Sequence, residues 1–230
     1  MQVALALFPG VSADECEAFT LVFDKLDGVE LVGVGAVLGP VEGQGGGHHV
    51  DKLFDDVLSP DIVLVPGGLG CERTAKDDHL VEWLQAVQPV CQWMAASSTG
   101  TVVVAAAGLL DEHDAATHWL ATPLLESYGS SASAERIVEV GRIITCEGKI
   151  TALHVALLVT LRVFGPTAVL DVKEALAHPN GPADPKKRRR FESLARRSPP
   201  KRKGPARPRN RELEAPDVIE LEPLRPGSSG

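Results

Sequence analysis

Pro89-Val-Cys-Gln-Trp-Met-Ala-Ala-Ser-Ser-Thr-Gly100, running on into Thr101-Val-Val-Val-Ala-Ala-Ala-Gly-Leu-Leu110, decides how this chain is read. Its first half is a short apolar run after a proline, the pattern of a buried strand. Its second half is rich in Ala and Val, carries no charge and stops at Gly108, the pattern of a buried helix. The two meet at Ser97-Ser98-Thr99-Gly100. A strand that turns sharply into a helix lifts one side chain above the sheet and leaves backbone N–H groups free at the helix start, where they favour negative charge. That is elbow geometry, and it puts Ser98 at the apex.

The segments on either side extend the pattern. Val3 to Phe8 reads as a buried strand turned by Pro9-Gly10, with Ser12 placed to cap the helix beyond it. Cys16, Phe19, Val22, Phe23 and Leu26 recur at helical spacing along Ala13 to Leu26. Val29 to Val37 reads as a second strand and Asp61 to Val65 as a third, halted by Pro66-Gly67-Gly68. Gly39 to Gly47 reads as a flexible loop. Leu80, Trp83, Leu84 and Val87 give a helix its apolar face. After the elbow come a short extended piece at Ala115 to Thr117 and a helix over Trp119 to Tyr128. Ile137 to Val140 and Arg142 to Thr145 form a hairpin about Gly141 or two adjoining strands. Helices over Ile150 to Phe164 and Thr167 to Ala177 close the domain. Strands alternating with helices predict an α/β fold: a flavodoxin-like three-layer sandwich with a mainly parallel sheet and right-handed crossovers. Ligands on such sheets sit at the carboxyl ends of the strands, so the loop after Phe8, Pro66-Gly67-Gly68 and the elbow are candidate site segments.

Composition divides the chain of 230 residues in two. The net charge of −8 hides an acidic body and a basic appendage: residues 1–185 hold 9 Lys and Arg against 25 Asp and Glu, whereas residues 186–230 hold 14 against 6. Periodicity ends near Pro179, giving a domain over 1–178 and a disordered Pro/Arg-rich tail over 179–230. Lys186-Lys-Arg-Arg-Arg190 and the basic residues onward to Arg211 suit non-specific contact with nucleic acid, or equally a solubilising segment folded onto the acidic body. In a eukaryote they read as a bipartite nuclear import signal. Asp217-Val-Ile-Glu-Leu-Glu222 has the form of a strand that adds to a partner's sheet edge. No apolar run reaches bilayer length, so no membrane partner is expected. No leader is visible at Met1 to Phe8, and four scattered cysteines, Cys16, Cys71, Cys91 and Cys146, suggest free thiols in a reducing, cytoplasmic setting. Adjacent His48-His49 have no evident third ligand; neither metal nor cofactor is expected.

Taken in order, Phe8-Pro-Gly-Val-Ser-Ala13 with Glu15, Val65-Pro-Gly-Gly-Leu-Gly70, Ser97-Ser98-Thr99-Gly100, Ala105-Ala-Ala-Gly-Leu-Leu-Asp111 and Ala116-Thr-His-Trp119 resemble the ThiJ/PfpI superfamily, which has a class I glutamine-amidotransferase-like fold. Within it the pattern is similar to the isonitrile hydratase branch, over residues 1–177. The resemblance implies a homodimer, a small-molecule ligand and, if the chain is an enzyme, a lyase. It implies catalytic roles for Glu15, the elbow residue Ser98, Thr99 and His118, with an oxyanion site at the amides of Gly68 and Thr99. The family places cysteine where this chain has Ser98. A thiol there is partly ionised near neutral pH and a hydroxyl is not, so Ser98 is a base-dependent nucleophile, a ligand-binding hydroxyl, or the apex of an inactive elbow. Gly148-Lys-Ile-Thr-Ala-Leu-His154 departs too: bulkier residues and His154 replace a small segment, which predicts an altered pocket floor. Relatives in this branch also serve as ligand-sensing domains of transcription regulators. That gives the alternative of a regulatory protein, although no helix-turn-helix pattern follows the domain. Cys71, beside the oxyanion loop, reads as an inert buried thiol or a displaced reactive one.

Overall fold

Val3 to Ala6 have no polar face, and the chain gives them none to need: β1 (Gln2–Ala6) is buried between two parallel neighbours. The computed structural model describes residues 1–178; the expected boundary near Pro179 and every reading of 179–230 lie outside those residues. From β1 the chain runs through α1 (Ala13–Phe23), β2 (Glu30–Gly35), a β3 (Gly39–Glu42) and β4 (Gly47–Val50) hairpin, the short β5 (Lys52–Leu53), β6 (Ile62–Val65), α2 (Cys71–Thr74) and α3 (Asp78–Val87). It continues through β7 (Trp93–Ser97), α4 (Gly100–Ala106), β8 (Asp114–Ala115), α5 (Thr122–Ser127), β9 (Ser131–Ala132), β10 (Ile137–Val140), β11 (Ile143–Cys146), α6 (Lys149–Phe164) and α7 (Pro166–Ala177). The main sheet has the order β10-β11-β7-β6-β1-β2-β5 and is parallel except where β10 meets β11.

Chain order reverses at β1: β2 lies on one side of it and β6 on the other. The loops after β1, β6 and β7 therefore leave adjoining strand ends, where a crevice opens. Helices flank the sheet in two groups, α1 with α6 and α7, and α4 with α2 and α3. The expected α/β sandwich is thus the observed fold.

Two differences are instructive. Residues 39–47 belong to a hairpin, not a free loop: Gly39 to Glu42 pair antiparallel with Gly47 to Val50. Its tip is latched to the start of α1, since Gln44 N donates to the Val11 carbonyl at 2.7 Å and Ala13 N donates to the Gln44 carbonyl at 2.9 Å. Glycines and Pro40 advertise a loop, but the backbone polar groups here find partners by pairing. The helix over Trp119 to Tyr128 starts late. Trp119–Ala121 form a 3-10 turn, and α5 begins at Thr122 with Pro123 in its first turn, where a missing N–H costs nothing.

Gly100 sets how closely α4 approaches the sheet. A Cβ there would lie 2.4 Å from the Val65 carbonyl oxygen and 2.7 Å from that of Pro66, both backbone atoms that cannot swing away. Gly100→Ala is expected to destabilise the domain by about 3 kcal/mol, at the upper end for overpacking. Urea denaturation of the variant checks this; an unchanged midpoint would contradict it.

Candidate functional site

β7 ends on Ser97, α4 starts at Gly100, and the bend between them is strained as an elbow should be. Ser98 has φ 54°, a left-handed conformation rare for a residue with a Cβ. Its backbone is held in place: the amide donates to the Cys146 carbonyl at 2.7 Å, and the carbonyl accepts from the Thr117 hydroxyl at 2.9 Å. Its hydroxyl forms no hydrogen bond to any described residue. Ser98 is only 6% exposed, yet it lines a cleft of about 760 Å³.

Glu15 comes to this cleft from the first turn of α1. Ser12 caps that helix, its hydroxyl accepting from the Glu15 amide at 3.4 Å. The Glu15 carboxylate is buried and anchored through Oε2, which accepts from the Gly67 amide at 2.8 Å and the Ser97 hydroxyl at 2.6 Å. Oε1 has no partner among the described residues. A Cβ placed on Gly67 would lie 2.8 Å from Glu15 Oε2 and 2.9 Å from Ser98 Cβ, so acid and elbow close on the same point and only glycine fits between them. Ser97 carries no sign of this role in the sequence. As the last residue of a buried strand it gives no local signal of its partner, which lies 82 residues away.

Thr99 clamps the loop after β6. Its Oγ1 accepts from the Gly68 amide at 2.9 Å and donates to the Gly68 carbonyl at 3.0 Å. Of the two amides expected to form an oxyanion site, that of Gly68 is engaged by Thr99 and that of Thr99 has no partner among the described residues. His118 lines the same cleft, half-buried and stacked on Trp119 with ring centroids 5.8 Å apart. Its Nδ1 accepts from the Leu120 amide at 3.3 Å. His118 is thus held through Nδ1 beside the cleft. Gln44, on the hairpin tip, also lines the cleft; nothing in its loop-like sequence points there.

His154 is not part of this cleft. It lies exposed on α6, and the departing segment Gly148 to Thr151 lines a neighbouring cleft instead. Thr151 is buried and caps α6 through its hydroxyl, 3.0 Å from the Gly148 amide and 2.7 Å from its carbonyl. The bulkier residues therefore rebuild a helix start beside the site, leaving the elbow floor to Ser98, Glu15 and Thr99.

All four cysteines are free and buried. Burial pushes the thiols of Cys16, Cys71 and Cys146 up to about 12, with the Glu15 charge adding to it, and that of Cys91 up to about 11. Cys71 does line the cleft, but a thiol held protonated cannot stand in for an ionised elbow cysteine. His48 is half-buried, its Nε2 has no partner, and burial lowers its pKa; His49 faces Asp51 at 3.4 Å. No group of three His, Cys, Asp or Glu among the described residues is placed to hold a metal. No helix among them is long and apolar enough to cross a membrane.

Residues 1–160 match the model of the DJ-1/PfpI family. The chain belongs to the DJ-1/PfpI family. Among curated relatives, the isonitrile hydratase of Pseudomonas putida is 27% identical over 166 residues, covering 72% of this chain and 73% of that protein. A glutathione-independent glyoxalase of Caenorhabditis elegans is 28% identical over 71% of this chain and 89% of its own length. The HTH-type transcriptional regulator CdhR of Pseudomonas aeruginosa is 30% identical over 59% of the chain, which spans only 41% of the regulator. Among solved structures, a ThiJ/PfpI family protein from Pseudomonas syringae superposes with a TM-score of 0.72 over 84% of this chain and 85% of that one, at 21% identity. Drosophila melanogaster DJ-1beta gives 0.68 over 76% and 97%, at 22% identity.

Proposed function

We propose that this DJ-1/PfpI domain binds a small molecule at the Glu15/Ser98/Thr99 cleft, and that with serine at the elbow it hydrates an isonitrile slowly or only binds its ligand. One observation carries the reading: the strained, buried Ser98 lines the cleft with its hydroxyl unbonded, beside a carboxylate anchored by Ser97 and Gly67. Strain of this kind persists where surrounding structure enforces it, commonly at functional sites.

The groups in the cleft set the chemistry. Hydration of an isonitrile, R–NC + H₂O → R–NH–CHO, needs a proton delivered to the terminal carbon and a proton taken from the water that adds there. Glu15 is the cleft group suited to both transfers, with Oε2 anchored and Oε1 without a partner. Ser98 orients the substrate or the water through its hydroxyl. A carboxylate is far too weak a base to hold that hydroxyl ionised, so covalent catalysis is lost and the rate is small. The test is hydration of an aryl isonitrile to its formamide, followed by chromatography. Ser98→Cys is expected to exceed the wild type at least tenfold, and Ser98→Ala to fall below it if the wild type turns over. Equal, substantial rates in all three proteins would overturn the elbow's role.

The regulator similarity favours a second reading, in which the cleft senses a ligand and the basic run at residues 186–211 contacts nucleic acid. The chain spans less than half of CdhR, so that regulator's activity is not carried over. DNA retention lost at high salt and on deleting residues 179–230 supports this reading; retention unchanged by the deletion rejects it.

A further inference from the structure

We propose that Ser97 is a positioning residue: with the Gly67 amide it fills one oxygen of Glu15, Oε2, so that the proton the site works with is given and taken at the other, Oε1. This rests on the proposed hydration at the elbow cleft, and goes further by naming the oxygen that reacts and the side chain that decides which one it is.

The two oxygens of Glu15 stand in unequal surroundings. Oε2 accepts from the Gly67 amide at 2.8 Å and from the Ser97 hydroxyl at 2.6 Å. A backbone N–H can only donate, and the Ser97 hydroxyl, fully buried at the end of β7, has no second partner among the described residues. A proton on Oε2 would have to point at Ser97 Oγ and turn the serine hydrogen away, leaving a buried donor unsatisfied, which is costly. With Oε2 as a double acceptor, both hydrogen bonds are kept whether Glu15 carries a proton on Oε1 or none. The arrangement therefore suits the acid and its conjugate base alike. Oε1 is the open atom. Among the described residues the only buried side-chain oxygen or nitrogen without a partner is His48 Nε2. Oε1 has no partner and is not that atom, so it keeps some exposed surface, and Glu15 lines the elbow cleft.

Hydration needs one group that acts first as acid and then as base. Oε1–H gives its proton to the terminal carbon of R–NC, which becomes R–N≡C–H⁺. Water adds its oxygen to that carbon and passes a proton back to Oε1, leaving R–N=CH–OH, which tautomerises to R–NH–CHO. Both transfers use the same oxygen, so the carboxyl ends as it began without turning. A carboxyl held by Gly67 alone is free to rotate about its Cγ–Cδ bond and carry the proton to the closed side. Two donors from different strand ends, the loop after β6 and the last residue of β7, prevent this and keep the reacting oxygen aimed at the cleft.

The experiment has two arms, both on the full chain. Neutron diffraction from a crystal exchanged into D₂O shows hydrogen positions directly. The Ser97 deuterium is expected to point at Glu15 Oε2, with Oε2 itself bare; a deuterium on Oε2, or a Ser97 hydroxyl turned elsewhere, overturns the assignment. Kinetics of aryl isonitrile hydration test the consequence. Ser97→Ala is expected to lower kcat about tenfold with KM within about twofold, and Ser97→Thr, which keeps the hydroxyl, to stay within about threefold of the wild type. In a Glu15→Gln background, adding Ser97→Ala is expected to change the residual rate by less than about twofold, because Ser97 acts only through the carboxyl. An equal loss in both backgrounds would mean a loosened elbow and overturn the proposal. Ser130→Ala removes another buried hydroxyl, bonded to the Leu110 carbonyl at 2.9 Å, and is expected to leave kcat unchanged; a matching loss there would reduce the Ser97 effect to general loosening. Where wild-type turnover is too slow to time, the same series is run on Ser98→Cys. If neither protein yields formamide, the hydration reading fails and the neutron map alone decides the assignment of oxygens. If turnover is found and Ser97→Ala keeps full kcat, the positioning role fails and the hydration reading survives. Should Ser97→Ala not fold, the neutron map of the wild type still decides.

Discussion

Ser98→Cys acquires a thiol that iodoacetamide alkylates at pH 7 at least a hundredfold faster than any of the four native cysteines. The native thiols are buried and held up at about 11 or 12. At a pKa near 12 the ionised fraction at neutral pH is about 10⁻⁵, against a few per cent for a free cysteine. A thiol at position 98 stands at the open end of β7, lines the cleft, and faces the amides that start α4. Those amides favour its ionised form and the Glu15 charge opposes it, which is why the expected ratio is set below the thousandfold that ionised fractions alone give. Peptide mapping after timed labelling checks the result. Labelling of the introduced thiol no faster than of Cys71 would mean that the elbow does not present its side chain to the cleft.

Raising the pH from 8 to about 11 unfolds the domain. Cys16, Cys71 and Cys146 move from an ordinary value near 9.0 to about 12 on folding, chiefly because burial disfavours the thiolate. A folded-state pKa above the unfolded one means the native chain holds protons that the unfolded chain gives up. The stabilisation is complete below pH 9 and is lost as pH rises towards 12. Each group contributes about 1.4 kcal/mol per pH unit in that window, and three together remove a stability of ~5–15 kcal/mol within two or three units. Urea denaturation at pH 8.0, 9.5 and 10.5 measures the slope, and Cys16→Ala is expected to flatten it by about a quarter, because Cys91, raised to about 11, contributes over the same range. Stability constant across that range would show that these thiols ionise in the folded state.

Residues with short-range consequences are readable in the sequence. Val3 to Phe8, Ile62 to Val65 and the apolar runs on either side of Ser97-Ser98-Thr99 carry their burial in local composition, so strands, helices and the elbow between them follow from short-range pattern. Contacts of long range are not. Residues 39–47 look like a loop because glycine and proline are common to loops and to tight hairpins. Only pairing with residues 47–50 and the latch to Val11 distinguish them. His154 lies in a segment expected at the pocket floor, yet α6 turns it outward, since a helix alternates its faces within a few residues.

The same division holds for the site. The sequence by itself determined the α/β alternation, the position of Ser98 at a strand-to-helix bend and the placing of Glu15 on the first helical turn, because each depends on a handful of neighbouring residues. Tertiary structure alone decided that Ser97 anchors Glu15, that Thr99 occupies the Gly68 amide, that His118 lines the cleft with Nδ1 on the Leu120 amide, and that Gln44 reaches the cleft from a hairpin. These contacts join loops from separate strands at the reversal beside β1. Which polar group meets which is set by where those strand ends lie in space, and no local pattern encodes it.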